Sequence, residues 1–591
     1  MILKSVLIML AGLAFFLFGM NVMSTSLEKM AGGKLETTLK KATSKPVLGF
    51  GLGAGITVAM QSSSAMTVML VGLVNSGIMD FSQTIAPILG SNVGTTFTAW
   101  ILNLMGVQSD KFSLIMLLSP DYLSPICAFL GIAVFMLSKK SKHKNIGTIL
   151  LGFAILMYGM EFMSDSVSAI KNMQGFERFI GLVRNPWMAL LVSLVFTGII
   201  QSSAATVGIV QTLALSGLIT WDMAIPMVLG ANIGTCVTAL ISSIGTNKNA
   251  KRVVAVHFYV NTVGSVITMI LLVIASLFMG DTLKQTIGTV EVSVIHTVFN
   301  VSISIIMGLT YKLLIKVVMW IVPDSKDKQE KNVFLDERLL LTPSVAIDEC
   351  RRLTNEMAEL SRTSIIKAIE AIYHYRKELV EEITELEGLT DKYEDKLGTF
   401  LVRLSGRNLS GKESHIIGRM LHTIGDLERI GDHAENIAKV AEELYEKKLS
   451  FSPQAKKEIK VITSAINEIV DLTVDSFNLD DIAQASLVEP LEQVIDALRS
   501  DIQARHIERV QKGDCTVELG FILADLLTNY ERVSDHCSNI AVYTVQLESK
   551  ILDAHKYLRG LHAGKNPDFV SQFTKYEQKY SLPTEEGVSV C

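Results

Sequence analysis

The sequence predicts an all-α protein: a polytopic membrane domain of two inverted repeats with re-entrant hairpins, then a soluble pair of three-helix bundles. Three observations predict it. Of 113 Asp, Glu, Lys and Arg residues in a chain of 591, residues 1–322 hold 31 and the remainder holds 82. The first part carries a net +9 and the second −14, so the total of −5 hides a basic apolar part and an acidic soluble part. Each part also repeats itself, at an offset of 140 residues in the first and 103 in the second.

Along the chain, Ile2–Met23, followed by Ser, Thr and Lys with no secretory cleavage signal evident, reads as a first span. Residues 46–79 and 185–221 contain no charge. Each exceeds the roughly 20 residues that cross hydrocarbon once, and each is long enough to fold back as a re-entrant hairpin. Further apolar stretches lie near 84–105, 122–138, 146–164, 223–244, 253–279 and 290–322, the last running toward Pro323. Lysine-rich connections at 29–45, 139–144 and 248–252 favour the cytoplasmic face, and the C-terminal part follows on that side. The mixed charge of 165–185 fits repeats of opposite orientation. The expected organisation is a membrane domain over 1–322 with repeats at about 1–140 and 141–322, a linker at 323–344, a cytoplasmic helical domain at 345–555 and a tail at 556–591. The expected location is the plasma or inner membrane. Six cysteines show no paired spacing, so reduced thiols are expected.

The best-kept parts of the first duplication are polar clusters inside apolar sequence. Gln61-Ser62-Ser63-Ser64-Ala65 recurs as Gln201-Ser202-Ser203-Ala204-Ala205, and Gly90-Ser91-Asn92-Val93-Gly94-Thr95-Thr96 recurs as Gly230-Ala231-Asn232-Ile233-Gly234-Thr235-Cys236. The same offset carries Phe18-Gly19-Met20 onto Tyr158-Gly159-Met160 and Thr57 onto Thr197. Hydroxyls and amides can surround an oxyanion together with backbone N–H groups at a helix break, and their oxygens can equally hold a small hard cation. Pro87 and Pro226 sit just upstream of the second motif, where they can interrupt a helix and release carbonyl oxygens for Na+. Small polar residues also serve as contacts between membrane helices, worth ~0.6–2 kcal/mol each. Two matched clusters at one spacing favour a transport site over that reading. Neither cluster has a nearby Arg or Lys, so a bound anion needs co-bound cations to offset its charge.

The paired QSSS and QSSA motifs, the two G-x-N-x-G-T segments and the duplicated helices resemble the type II sodium/phosphate cotransporter family over about the first 310 residues. That resemblance implies phosphate contact for Gln61, Ser62, Ser63, Ser64, Gln201, Ser202 and Ser203. It implies neighbouring or sodium-binding roles for Thr57, Asn92, Thr95, Thr96, Thr197, Asn232 and Thr235, with Na+ as coupling ion. Ala204 stands where the first repeat has Ser64, and Cys236 where it has Thr96, so unequal contributions from the halves are expected. A local echo, His257-Phe-Tyr-Val-Asn261 and His296-Thr-Val-Phe-Asn300, places His and Asn one helical turn apart. Interhelical hydrogen bonding is its expected role, outside the primary site.

In the soluble part, Glu428-Arg429-Ile430-Gly431-Asp432-His433-Ala434-Glu435-Asn436 matches Glu531-Arg532-Val533-Ser534-Asp535-His536-Cys537-Ser538-Asn539. Spacing i, i+4 puts Glu428 with Asp432, and Glu531 with Asp535, on single helix faces. Such pairs can grip a metal ion with help from an adjacent helix, where Asp391 and Asp395 echo Glu492 and Asp496, or can form solvated faces paired with Arg429 and Arg532. The E-R-x-x-D-H-x-x-N motifs resemble PhoU over roughly 345–555. That likeness implies phosphate signalling and, in some members, metal clusters on the Glu428, Asp432, Glu531 and Asp535 type of motif. The stretch after His555 offers no motif and is expected to be a flexible tail.

The sequence reading is a sodium-coupled inorganic phosphate transporter working by alternating access in the lipid bilayer, with a regulatory C-terminal domain. Alternatives are a membrane phosphate sensor that does not transport, and a sodium-coupled carrier of another oxyanion. A homo-oligomer and a phosphate-signalling protein partner both stay open. No nucleophile–base constellation or phosphate-cradling glycine loop accompanies the carboxylates, so no enzymatic activity is expected. The acidic soluble part also argues against nucleic-acid binding.

Overall fold

The computed structural model describes residues 2–31, 45–106, 119–170, 173–323, 335–407, 409–546 and 567–583. Residues 32–44 of the lysine-rich connection and residues 324–334 of the linker therefore lie outside the described residues. Among the described residues the protein is helical throughout, with one isolated bridge between Thr220 and Thr286 in place of any strand. It divides into two compact units: of the described residues, those up to 323 together with Asp336–Val345 form the first, and Leu335 together with those from Ala346 onward form the second.

In the first unit the chain runs through α1 (Ile2–Ala31), α2 (Pro46–Met60), α3 (Ser63–Asn75), α4 (Phe81–Leu102), α5 (Pro120–Leu137) and α6 (Ser141–Ile170). It continues through α7 (Gln174–Val183), α8 (Pro186–Ile200), α9 (Ser203–Leu215), α10 (Trp221–Gly234), α11 (Cys236–Ser242), α12 (Lys248–Leu283), α13 (Thr289–Leu309) and α14 (Tyr311–Ile321). Among the described residues, seven helical spans are long and apolar enough to cross a bilayer, while α7 and α8 meet at a bend of 107°. Each charge-free stretch is broken once, at its QSS motif. The halves α2 and α3 have 15 and 13 residues, about 22 and 20 Å long, so neither alone spans a hydrocarbon core of roughly 30 Å. They pack on each other, as do α8 and α9, which is the re-entrant arrangement. The long 290–322 stretch is interrupted at Thr310, where α13 gives way to α14.

Helices that correspond across the two repeats meet directly. A Cβ on Gly12 would lie 2.8 Å from the Gly159 carbonyl oxygen, and one on Gly19 would lie 2.6 Å from that of Gly152. Gly12 and Gly152 are equivalents at the 140-residue offset, as are Gly19 and Gly159. The helices α1 and α6 therefore lie antiparallel, each glycine facing the other repeat's non-equivalent one. Such backbone contact between small residues is how membrane helices associate when apolar burial gives no advantage over lipid.

In the second unit the two repeats are three helices each: α15 (Pro343–Tyr373), α16 (Lys377–Ser405) and α17 (Gly411–Glu446), then α18 (Pro453–Leu479), α20 (Val488–Lys512) and α21 (Val517–Val545), with the short α19 (Ile482–Ala485) between. The helix α15 starts within the last residues of the first unit. Apolar stripes of α17 and α21 meet in the middle. The tail departs from expectation over its described residues. Pro567–Lys579 forms α22 on α20, where Lys579 and Tyr580 both reach Glu468 and Arg505 donates to the Pro583 carbonyl. Its amphipathic spacing, with Tyr576 buried, is the signal that a motif search passes over.

Candidate functional site

Gln61 ends α2 with φ 52° and ψ 26°, and Gln201 ends α8 with φ 60° and ψ 26°. This is the left-handed region, which costs a residue with a side chain about 1–2 kcal/mol. Among the described residues only Lys448 and Asp480 share it without being glycine. The next residue is extended in both repeats, and its hydroxyl caps the following helix: Ser62 accepts from the Ala65 N–H at 3.1 Å, Ser202 from the Ala205 N–H at 3.2 Å. The sequence QSS is thus a helix terminator followed at once by an N-cap. It presents the first N–H groups of α3 and α9, which have no intrahelical acceptor, beside the hydroxyls of buried Ser63 and Ser203. A helix N-terminus with serine hydroxyls and no carboxylate nearby in sequence suits an oxyanion.

The two sites differ in detail. The Gln61 amide is held at both ends, donating to the Val58 carbonyl at 2.8 Å and accepting from Thr98 Oγ1 at 2.7 Å. In the second repeat Thr238, the equivalent of Thr98, donates to its own helix at the Thr235 carbonyl instead. Gln201 is exposed, and its amide has no partner among the described contacts. Thr57 and Thr197 are both buried one turn before the break. Thr57 donates to Ser91 Oγ at 2.7 Å, whereas Thr197 pairs with Thr206 Oγ1 at 2.7 Å. The swap follows from sequence: Ser91 is replaced by Ala231, and Met66 by Thr206.

The second motif divides by residue type. Its glycines are packing residues: a Cβ on Gly90 would stand 2.0 Å from the Phe50 carbonyl oxygen, and one on Gly230 would stand 2.2 Å from that of Leu190. They let α4 lie on α2 and α10 on α8. Thr95, Thr96 and Thr235 donate to carbonyls of their own helices, at Ser91, Val93 and Asn232. The asparagines reach outward. Asn92 donates to Asn261 Oδ1 at 3.4 Å, and Asn232 Oδ1 lies 3.2 Å from His296 Nε2. The His-x-x-x-Asn echo is therefore joined to both Asn-x-Gly-Thr motifs, a link that sequence spacing could not supply.

The prolines do not break the helices that contain them. Pro87 lies inside α4 and Pro226 inside α10. Membrane helices carry proline when neighbouring groups re-satisfy the backbone. In the second repeat the interruption comes later, at Thr235 between α10 and α11, while α4 runs unbroken through Thr95. The helices after the breaks pack across the repeats, α9 against α4 and α3 against α11. Each QSS helix thereby touches the helix that carries, or directly follows, the other repeat's Asn-x-Gly-Thr motif.

In the second unit the paired motifs serve two purposes. His433 Nδ1 lies 2.9 Å from Asn529 Oδ1, and His536 Nδ1 lies 2.8 Å from Asp426 Oδ1. These contacts correspond at the 103-residue offset, and the two rings stack with centroids 5.7 Å apart. Histidine and its partners thus fasten α17 to α21. The acidic residues face elsewhere. Ligand oxygens of Asp535, Glu492 and Asp496 lie within 4.8 Å of one another. Glu531 is held by Arg499 Nε at 3.2 Å, and Arg532 reaches Asp535 at 3.6 Å. Burial, with Glu489, Asp496 and Asp535 close by, raises Glu492 to about 8. In the first repeat burial, then Asp432, raises Glu428, with Glu394 and Asp391 nearby. Asp395 is exposed beside Lys396. Three crowded carboxylates, one holding its proton near neutrality, fit a hard cation through Glu492, Asp496 and Asp535. The five described cysteines are free.

Residues 15–165 and 155–286 each match the Na+/Pi-cotransporter family model, and residues 354–441 and 460–544 each match the PhoU domain. The "Putative inorganic phosphate export protein YjbB" of Escherichia coli K12 is 22% identical over 539 residues, covering 90% of this chain and 96% of that one. The uncharacterized protein YqeW of Bacillus subtilis is 32% identical over 267 residues, 45% of this chain and 81% of that protein. The sodium-dependent phosphate transport protein 2A of mouse is 40% identical over 101 residues, 17% of this chain and 16% of that one.

Proposed function

The chain belongs to the Na+/Pi-cotransporter family and carries a PhoU domain, and from this premise we propose that it is a sodium-coupled transporter of inorganic phosphate regulated by its C-terminal unit. It is a multi-pass membrane protein. The observation that carries the proposal is the pair of identical helix breaks at Gln61 and Gln201, each opening a helix N-terminus inside an apolar domain. Phosphate is held by the N–H groups and hydroxyls of Ser63, Ser64 and Ser203, with Gln201 as the adjustable donor and Gln61 as a fixed wall. Ser62 and Ser202 act through their caps. Na+ offsets the anion's charge in a site without Lys or Arg. Its charge also offsets the opposition of an inside-negative potential to anion entry, ~2.3 kcal/mol per charge per 100 mV.

The antiparallel pairing of α1 with α6 supports inverted repeats, and exchange of packing between α9–α4 and α3–α11 supports alternating access around them. The C-terminal unit lies in the cytoplasm, with a metal ion on Glu492, Asp496 and Asp535, and adjusts flux to phosphate or metal status. The direction of flux follows the gradients; the likeness to a protein named for export fits this as well as uptake does.

Labelled phosphate uptake into proteoliposomes under a Na+ gradient, with K+ as control, tests the proposal. Na+-dependent uptake that falls at least tenfold in Gln201→Ala is expected. No uptake by well-folded, correctly oriented protein would overturn it in favour of a phosphate sensor. Regulation fails separately, if a chain ending at Val345 inserts normally and keeps the same phosphate dependence.

A further inference from the structure

A second polar cluster lies about 12 Å along α9 from Ser203, at the fully buried Gln211. Its amide nitrogen is 3.1 Å from the Ala99 carbonyl oxygen, 3.0 Å from Asn103 Oδ1, 3.3 Å from the Thr289 carbonyl oxygen and 3.0 Å from Ser293 Oγ. Ser293 Oγ is itself 2.9 Å from the Ala99 carbonyl oxygen, 3.0 Å from Asn103 Oδ1 and 3.3 Å from the Thr289 carbonyl oxygen. An amide nitrogen has two protons and a hydroxyl one. These protons cannot serve every close approach, so several oxygens face each other without a hydrogen between them.

At the same time Gln211 Oε1 and Asn103 Nδ2 are buried with no partner. An amide's oxygen and nitrogen are assigned from their surroundings, and the same heavy-atom positions accept the turned amide. Turned, Gln211 places Oε1 among the other four oxygens, making five. Oxygens 2.9–3.3 Å apart are spaced as they are around one small cation at the ~2.3–2.6 Å typical of calcium, an ion of nearly the radius of Na+. No carboxylate belongs to the set. A divalent ion would keep most of its charge uncompensated in an apolar domain, whereas neutral oxygens suffice for a monovalent one.

We propose that Gln211, Asn103, Ser293 and the carbonyl groups of Ala99 and Thr289 bind one Na+ at a site separate from the two QSS breaks. The proposal rests on the sodium-coupled reading only for the identity of the ion. Ala99 and Asn103 close the first repeat's α4, Gln211 belongs to the second repeat's α9, and Thr289 and Ser293 open α13. The ion therefore ties the end of the first repeat's α4 to two helices of the second, α9 and α13. The equivalent of Gln211 in the first repeat is Val71, so the site exists once and gives the duplicated domain a built-in asymmetry.

The test is equilibrium binding of radioactive Na+ to the purified full-length protein in detergent without phosphate, beside thermal midpoints in NaCl and choline chloride. Gln211→Leu is expected to bind one Na+ fewer per chain than the parent. Gln211→Glu is expected to bind several-fold more tightly and to be stabilised by NaCl over choline chloride more than the parent is. Equal stoichiometry in parent and Gln211→Leu overturns the site. Should Gln211→Leu fail to fold, Gln211→Glu decides, because a carboxylate cannot donate the amide's hydrogen bonds. A cluster held by hydrogen bonds alone would leave that variant destabilised equally in both salts. Loss of Na+-driven phosphate uptake in the parent with Gln211-dependent Na+ binding intact would refute the coupling and leave the site standing.

Discussion

Gln61 and Gln201 share a left-handed backbone, yet Thr98 and the Val58 carbonyl hold one amide while the other faces open space. Gln201→Ala should therefore raise the KM for phosphate at least tenfold and leave the thermal midpoint nearly unchanged. Gln61→Ala should also lower stability, by about 1–3 kcal/mol, since it strips a partner from Thr98. Side-by-side transport kinetics and thermal melts of the two variants check this. Equal loss of stability would remove the distinction. All of the QSS residues were legible in the sequence as a duplicated cluster. The separate roles of its letters were not: the second residue is a cap and the first a terminator, and only backbone angles show this. Ser91 and Thr206 were hidden for another reason. Each supplies what its repeat's counterpart lacks, so a search for matches passes over them.

Glycine placement governs the elements. A Cβ added at Gly19 would stand 2.4 Å from Leu156 N and 2.6 Å from the Gly152 carbonyl oxygen, which leaves no room for a side chain between α1 and α6. Gly19→Leu should force the helices apart and cost at or above the ~1–3 kcal/mol of an overpacked core. Gly280→Leu, at a glycine with nothing within 4 Å, should cost far less. Thermal midpoints in detergent compare them, and equal losses would show that the α1–α6 contact carries no weight. The offset that carries Gly19 onto Gly159 was plain in the sequence, but their meeting was not, because equivalence says nothing about contact. The prolines misled for a related reason. A proline breaks an isolated helix, but buried ones remain where packed neighbours re-satisfy the backbone.

For the whole molecule, the charge division of the sequence coincides with the division into two units, although Asp336–Val345 packs with the first. There Asp336 accepts from Asn75 at the end of α3, and Arg338 donates to the Ile244 carbonyl. The acidic cluster of the second unit gives a pH dependence with a definite sign. Glu492 keeps its proton up to about 8 in the fold against an ordinary 4.5, so between those values the folded unit binds more protons than the unfolded chain. Its stability should fall as pH rises through that window. A divalent ion displaces the proton and should bind more tightly as pH approaches 8. Melts of the full chain at pH 6 and 8, with and without Mn2+, check both points, and Glu492→Gln should flatten the pH slope. An unchanged slope in that variant would place the titration elsewhere.

By itself the sequence determined the helical class, the two duplications, the division into an apolar membrane part and a charged helical part, and the polar letters of the duplicated motifs. All of these are recorded in composition or in spacing along the chain. Tertiary structure decided which letters meet. It tied Asn232 to His296, brought Glu492 and Asp496 to Asp535, and gathered Gln211 with Asn103 and Ser293. Those residues lie tens to hundreds of positions apart on helices of different direction. Helical periodicity shows which face a residue occupies but carries no information about the helix that packs against it.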